Sequence, residues 1–566
     1  MIRLSIRHCV PYSRWHIIWN ILLQKTFGDI RIHRQRFLHI GESDKNWIQK
    51  KFTAKDLMAH AERHGAIEDE AHGGRKGRQA IDVAWSATLI LSQIHHDHLP
   101  ACLDFKDLMA CFDRMIEAEA NMSLRARGCP ASLLKLHAKF KRSSEYFVVT
   151  NHGVSTTSNT YTKTDPHCGG GQGDGDCPPR WNCVSSDVIS AYKKRAEPFQ
   201  FRHPVPAKTR KFFLHAFIDD TFSALNKQTI PDLLAAVTAN SQRWADYIHV
   251  TGGRLELSKC KAYFFEWKCD EDGFHIPIPQ PTSNIILKDN ETQELVTLTS
   301  LPLSEPYKHM GVHQCGNLSN HAEYNASKEK SDSYARGFAK SPIVGNHAYL
   351  SYKCSYAPKI HYSLPIATFS QRQCEQIHSL ALSVFLPAMG FKRHFPQAVV
   401  WSPHHFGGVN LPPFYNISGL GKVNLVLRHV RSNNELGHRF LNSLANYQLY
   451  VGTSEHALSD HRPLPHANNP WITLLREYLA HINGNIQSSL FWLPSSPRHN
   501  DTYLMEGFLL IAPASTIPIL NHCRLFLQVF FLSELTDDNG TFLPGALCES
   551  DDGVPILRNV HTSHLQ

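Results

Sequence analysis

The sequence of 566 residues predicts an α+β fold with a mainly helical C-terminal extension. Short β-prone runs, Glu145-Tyr-Phe-Val-Val-Thr150 and Lys211-Phe-Phe-Leu-His-Ala-Phe-Ile-Asp-Asp220, lie among helical runs such as Ala80 to Ile94. From about Asn320 the pattern changes to longer helical segments, among them Gln373 to Leu386 and Ile417 to His429. No internal repeat intervenes. Strands mixed with helices, then helices alone, describe a two-part α+β chain.

Residues 1 to 60 mix aromatic and basic side chains, as in Arg31-Ile-His-Arg-Gln-Arg36. A Gly-rich basic patch, Gly73-Gly-Arg-Lys-Gly-Arg78, precedes the apolar helix at Ala80 to Ile94. His95-His-Asp-His98 has the composition of a ligand cluster. Adjacent side chains cannot converge on one ion from a regular helix or strand, so it reads as a polar loop end. Leu133 to Phe140 has helical spacing, and the run 145–150 reads as a strand closed by the turn Asn151-His-Gly153. Residues 151–182, rich in Gly, Thr, Asn and Pro, read as loop. The run 211–220 reads as a strand entering a tight turn. Segments 453–470 and 494–501 are polar and read as linkers.

The formal net charge of +8, with 42% hydrophobic and 19% charged residues, is that of a globular chain and is compatible with a polyanionic partner. Fourteen cysteines without a CxxC pair argue against a zinc ribbon or a disulfide framework. Cys168, Cys177 and Cys183 beside His167 match no standard zinc spacing and read as reduced thiols. The most apolar stretch, Phe508 to Leu532, contains Pro513, Pro518, His522 and Arg524. A membrane span would bury these at heavy cost, so it reads as core helices broken at the prolines. With no secretory signal either, the expectation is an intracellular protein, nuclear or cytoplasmic.

Two features carry chemistry. Asp107-Leu-Met-Ala-Cys-Phe-Asp113 is one; Phe217-Ile-Asp-Asp220, with paired acids at the tip of an apolar strand, is the other. Paired carboxylates beside so much apolar sequence are costly unless a cation neutralises them. Nucleotidyl transfer uses two divalent cations roughly 3.5–4 Å apart, and Mg²⁺ takes carboxylates while leaving positions for phosphate and water. A plain turn is the competing reading of the acid pair.

These features stand in a series of blocks. Arg34-Gln-Arg-Phe-Leu-His-Ile-Gly-Glu-Ser-Asp-Lys-Asn46, Gly73 to Arg78 with Ala80-Ile-Asp82, Asp107 to Asp113, Gly170-Gly-Gln-Gly-Asp174, Phe217 to Asp220, Gly253-Arg-Leu-Glu-Leu-Ser-Lys-Cys260 and Tyr307-Lys-His-Met-Gly311 follow one another along the chain. In that order they resemble the signature blocks of reverse transcriptases of the non-long-terminal-repeat retrotransposon type, as found in protist and algal genomes. Fainter similarity continues through Pro403-His-His-Phe-Gly-Gly408 and Asn521-His-Cys-Arg524.

The resemblance implies a right-hand polymerase. Fingers would span 1–106, an antiparallel-sheet palm 107–312 with a fingers insertion at about 116–168, a helical thumb 313–430 and a helical extension 431–566. It implies Mg²⁺ or Mn²⁺ on Asp107, Asp219 and Asp220, with Asp104 a rival for the first ligand. It implies a leaving-group or phosphate role for Lys259, nucleotide contacts from Arg36, Phe112, Gln172 and Gly173, and a primer grip at Met310 and Gly311. Phe112 would exclude a 2′-hydroxyl. Lys76 or Arg78 would assist Arg36, and Asp113 would be structural; the basic residues Lys193 to Arg195, Arg202, Lys208, Arg210 and Lys211 suit either contact with backbone phosphates or a solvated insertion. The partners implied are an RNA template, a DNA primer and deoxynucleoside triphosphates, with no membrane. Departures are Met310 where Leu is usual and His72 where Gln is common. The family's endonuclease, ribonuclease H and zinc knuckle are not visible, which leaves open a truncated remnant that only binds nucleic acid. An RNA-dependent RNA polymerase is a third reading.

Overall fold

The computed structural model describes residues 2–541 apart from 26–27, 30, 32–34, 110, 163–168, 172, 272–273, 497 and 538. Arg34, His167, Cys168 and Gln172 of the sequence analysis lie outside the described residues.

In chain order, strands β1 (Ile17–Gln24) and β2 (Gln35–Ile40) pair antiparallel. Helix α1 (Ala80–Asp97) leads into β3 (Ala101–Asp107). Strand β4 (Glu145–Thr150) returns to lie parallel to β1, so residues 17–40 and 145–160 form one sheet. Helix α2 (Cys177–Lys193) precedes the hairpin of β5 (Leu214–Phe217) and β6 (Asp220–Asn226). Helix α3 (Ile230–Val250), β7 (Lys261–Phe265) and β8 (Thr299–Ser300) complete a second sheet in the order β8-β7-β3-β6-β5. Within it β8 alone is parallel to its neighbour.

This central sheet alternates as a sheet covered on both faces must. Leu103, Phe105, Phe222, Ala224, Tyr263 and Phe265 face one core with α1; Cys102, Leu225, Ala262 and Phe264 face the other with α2 and α3. Each fully buried Phe contributes about 1.5–3 kcal/mol over an exposed one. Helix α1 is buried without a break from Ile81 to Ile94, mostly through apolar residues, with Asp82, Ser86, Thr88, Ser92 and Gln93 among them. Gln79 and Asp82 form a capping box at its start.

Hairpin β9 (Tyr307–His309) and β10 (Val312–Gln314) packs on the sheet, with Tyr307 stacked on Phe105 at 4.4 Å. Helices α4 (His321–Ala339) and α5 (Gln371–Ala388) then build a separate apolar cluster around Tyr352, Tyr356 and Phe385. Helices α6 (Phe414–Arg431), α7 (Glu435–Val451) and α8 (Pro470–His481) return to α1. Asp82, fully buried, bonds Arg428 and His429 of α6 and so ties α6 to the first turn of α1.

Several expectations need correction. His95-His-Asp97 is the last turn of α1 and not a loop end; the helix stops one residue later at His98, whose φ of 51° is left-handed. The loop expected over 151–182 gives way to α2 at Cys177, because Pro178 and Pro179 occupy the first turn, where a missing N–H costs nothing. Residues 453–469 carry no helix or strand yet are packed: Ala457, Leu458, Leu464 and Ala467 are buried, and the Gln448 amide holds Thr453, Glu455 and Ala457. The stretch 508–532 does break near its prolines, into α9 (Leu504–Ile511) and α10 (Ile517–Phe526), but Leu510 and Ile511 are exposed and not core. Among the described residues no helix is long and apolar enough to cross a membrane.

Candidate active site

Strand β3 ends and strand β6 begins at the same place. Asp107 is the direct cross-strand partner of Asp220, and Asp219 is the second residue of the two-residue turn between β5 and β6. Three carboxylates therefore meet at one end of the central sheet. Alternation along β3 separates Asp107 from its rival: Asp104 faces the opposite side, 1% exposed, bonded by Lys106, Ser223 and, at 2.8 Å, Ser241.

The backbone around the acids is held from several sides. The Leu108 amide donates to the Asp219 carbonyl at 3.3 Å, the Glu256 amide to the Asp107 carbonyl at 2.9 Å, and the Met109 amide to the Arg254 carbonyl at 2.8 Å. The turn itself is strained, because Ile218 sits at φ 62°, a conformation a β-branched residue rarely adopts. Trp181 of α2 donates its indole N–H to the Ile218 carbonyl at 2.8 Å. Gly73 lies so close that a Cβ there would stand 2.4 Å from Ile218 Cγ1 and 2.8 Å from its amide nitrogen. The Gly73 carbonyl is in turn fixed by Asn182.

Electrostatically the three acids are under-compensated. Burial, then repulsion from Asp219 and Asp107, pushes Asp220 up to about 6. Burial and the Asp107 charge also raise Asp219. Among the described residues the single ion pair to any of them is Lys259 Nζ on Asp107 at 3.4 Å. No group of three or more His, Cys, Asp or Glu side chains among the described residues is set to hold a metal ion by itself. The donor chemistry nonetheless suits a hard cation that takes its remaining ligands from phosphate and water.

Beside the acids, the Gly170 amide donates to the Phe112 carbonyl at 2.7 Å and the Gly169 amide to the Met115 carbonyl at 2.8 Å. The glycine loop thus lies on the segment that carries Phe112. Gly173 has φ 110°, and a Cβ on it would meet the His39 carbonyl of β2 at 2.7 Å, so only glycine fits. Arg36, on the same strand as His39, is exposed and bonded to no carboxylate of the site. Arg78 is paired with Asp69, and Lys193 with Glu68 and Glu70, so neither is a free cation; Lys76 is exposed.

Met310 and Gly311, at φ 49° and 79°, form the tight turn between β9 and β10. Tyr362 fixes them by donating its hydroxyl to the Met310 carbonyl at 2.6 Å. They contact Tyr362 and not the carboxylates; from this hairpin it is Tyr307 that lies near Asp220 and Asp107.

The sequence reading missed the ion group under the glycine loop. Asp174, buried, stands 3.7 Å from both Lys45 and Lys141, and Lys141 also bonds the Gly169 carbonyl at 3.2 Å. Asp176 pairs with His137 at 2.7 Å and Arg180 at 3.7 Å; these partners hold its carboxyl below the usual range against the effect of burial. Lys45 and Asp174 both fall inside the quoted blocks, but nothing local in either block indicates that they meet.

No family model matches the chain, and no curated protein matches it. Solved structures similar to it include telomerase from Candida tropicalis in complex with a fragment of telomeric RNA, at 10% identity and TM-score 0.36, covering 77% of this chain and 63% of that one. Apo telomerase from Candida tropicalis truncated from its C-terminal domain matches at 13% identity and TM-score 0.32, covering 51% and 56%. Telomerase from Candida albicans with a telomeric RNA fragment matches at 10% identity and TM-score 0.34, covering 80% and 65%. The chain spans less than two thirds of the length of these three telomerase chains. At such scores the likeness positions no residue of this chain.

Proposed function

We propose that the chain is an RNA-directed DNA polymerase of the retroelement type, extending a primer by nucleotidyl transfer at the Asp107, Asp219 and Asp220 site. The observation that carries this reading is the cross-strand pairing of Asp107 with Asp220 beside Asp219, three acids with one weakly placed cation among them. Asp219 is exposed and Asp107 and Asp220 are half-buried, so a cation can enter, and the repulsion among the three acids is what it would relieve.

In this reading the three carboxylates hold Mg²⁺ or Mn²⁺, which supplies charge stabilisation at the reacting phosphate. The remaining work belongs to the chain. The two locked strands fix the acids before substrate arrives, so little reorganisation is needed at the moment of reaction. Gly173 lets the backbone approach the incoming nucleotide closely, and Phe112, held beside the glycine loop, limits room at the sugar. Lys259, whose ammonium lies 3.4 Å from Asp107, would meet phosphate or hand over a proton. Arg36 supplies guanidinium contacts to the triphosphate from β2.

Primer extension on RNA and DNA templates, with Mg²⁺ or Mn²⁺, tests the proposal. The parent is expected to extend on RNA, while Asp219→Asn loses extension and keeps template binding. Equal extension by both proteins would remove the site. Template binding without extension by the parent would favour the idle remnant instead.

A further inference from the structure

At the other end of β3 lies a cavity of about 520 Å³, within the range of small-molecule sites. Asp107 closes one end of the strand and Ala101 the other, so the two places stand about 20 Å apart along the chain direction. The cavity is walled by the end of α1, by the hairpin of Trp267–Cys269 and His275–Pro277, by α7, by residues 466–470 and by α10.

Its lining is unusual in kind. Rings dominate: His98 stacks on His275 at 5.0 Å with 13° between planes, Trp267 stands edge-on to His98 at 4.9 Å, and Phe274 meets His522 at 4.6 Å. None of the described lining side chains is Asp, Glu, Lys or Arg. Burial and repulsion from neighbouring imidazoles push His98 down to about 3, and burial lowers His95 and His522. Among the described residues, the buried Asn521 Oδ1 has no partner and the exposed Asn468 makes no side-chain hydrogen bond.

With no Lys or Arg on the wall, nothing of fixed positive charge is there to pair a phosphate or carboxylate. Stacking rings with amide edges suit a flat, neutral heterocycle. We propose that this cavity binds a purine base by stacking among the His98, His275 and Trp267 rings and by edge contacts from Asn468 and Asn521. The base comes either from a free nucleoside or from an unpaired nucleotide of a single strand. The inference stands apart from the polymerase reading and uses none of its residues.

The test is titration of the full chain with two fluorescent probes, 2-aminopurine riboside and a single-stranded hexanucleotide carrying one central 2-aminopurine. Saturable quenching is expected with at least one probe. Quenching by the riboside identifies a free nucleoside as an acceptable source; quenching by the hexanucleotide alone identifies a base presented by a strand. His275→Ala, at an exposed position, should weaken binding about tenfold, as should Trp267→Leu, while Phe112→Val binds like the parent and primer extension by His275→Ala is unchanged. If Trp267→Leu does not fold, His275→Ala decides alone. No saturable quenching with either probe, affinity untouched by His275→Ala, or loss in Phe112→Val instead would overturn the proposal.

Discussion

The smallest feature on which the site depends is a single missing methyl group. Gly73 leaves room for Ile218, and Ile218 in a left-handed conformation throws Asp219 and Asp220 toward Asp107. Conformations of that kind cost about 1–3 kcal/mol and persist only where the surroundings impose them. Here the imposition comes from Trp181 and Asn182 on one helix, which grip the Ile218 and Gly73 carbonyls. Gly73→Ala brings a carbon against the Ile218 backbone, and the turn has nowhere to retreat. We expect extension to fall by about tenfold or more, equivalent to about 1.4 kcal/mol in the barrier, with the far-UV circular dichroism of the parent retained. Steady-state extension rates of the folded variant check this, and a parent-like rate would show that the turn tolerates displacement.

At the scale of elements, β3 is two different surfaces. Asp107 belongs to one, and the buried Asp104–Lys106 pair with Ser223 and Ser241 to the other. Lys106→Met leaves the Asp104 carboxylate buried without its cation, which costs about 3–5 kcal/mol. Adding Asp104→Asn should recover much of that loss, and denaturant midpoints of the two variants measure it. A midpoint for Lys106→Met equal to the parent's would show the pair to be dispensable.

The hairpin at 214–226 was legible, because an apolar run ending in adjacent acids has little else to be than a strand and a turn. The sequence leaves Asp104 as a rival to Asp107, and the strand's period of two turns the two side chains to opposite faces. The start of α2 at Cys177 was not legible, since two prolines read as a breaker until their place in the first turn is known. Nor was the parallel pairing of β1 with β4, which joins residues over a hundred positions apart and leaves no local trace. The ion group of Lys45, Lys141 and Asp174 was hidden for the same reason.

Over the whole molecule, helices from far along the chain complete the core of the central sheet. Phe440, Leu444, Trp471 and Leu475 pack in the same cluster as Trp85 and Phe105. Burial of this extent includes histidines that stay neutral. Burial lowers His309 and His378 to about 3 and His361 to about 4. Because these folded-state values lie below the unfolded value near 6.5, the unfolded chain binds more protons between them. Stability is therefore full above about pH 6.5 and is lost as pH falls toward about 3. His378, stacked on Phe414 at 4.1 Å and bonded to the Tyr352 hydroxyl at 2.8 Å, is a clean probe. His378→Gln should flatten the acid limb by up to about 1.4 kcal/mol per pH unit; an unchanged limb in chemical denaturation would deny that this histidine is neutral in the fold.

All of this packing delivers three carboxylates to one strand end, and their sharing of divalent cations is the central claim. Binding of Mn²⁺ to the full chain, followed by electron paramagnetic resonance with primer, template and nucleotide present, measures that directly. We expect saturable binding by the parent and at least about tenfold weaker binding by Asp107→Asn and by Asp219→Asn, a loss of about 1.4 kcal/mol each. Binding of equal strength in all three proteins would contradict the account.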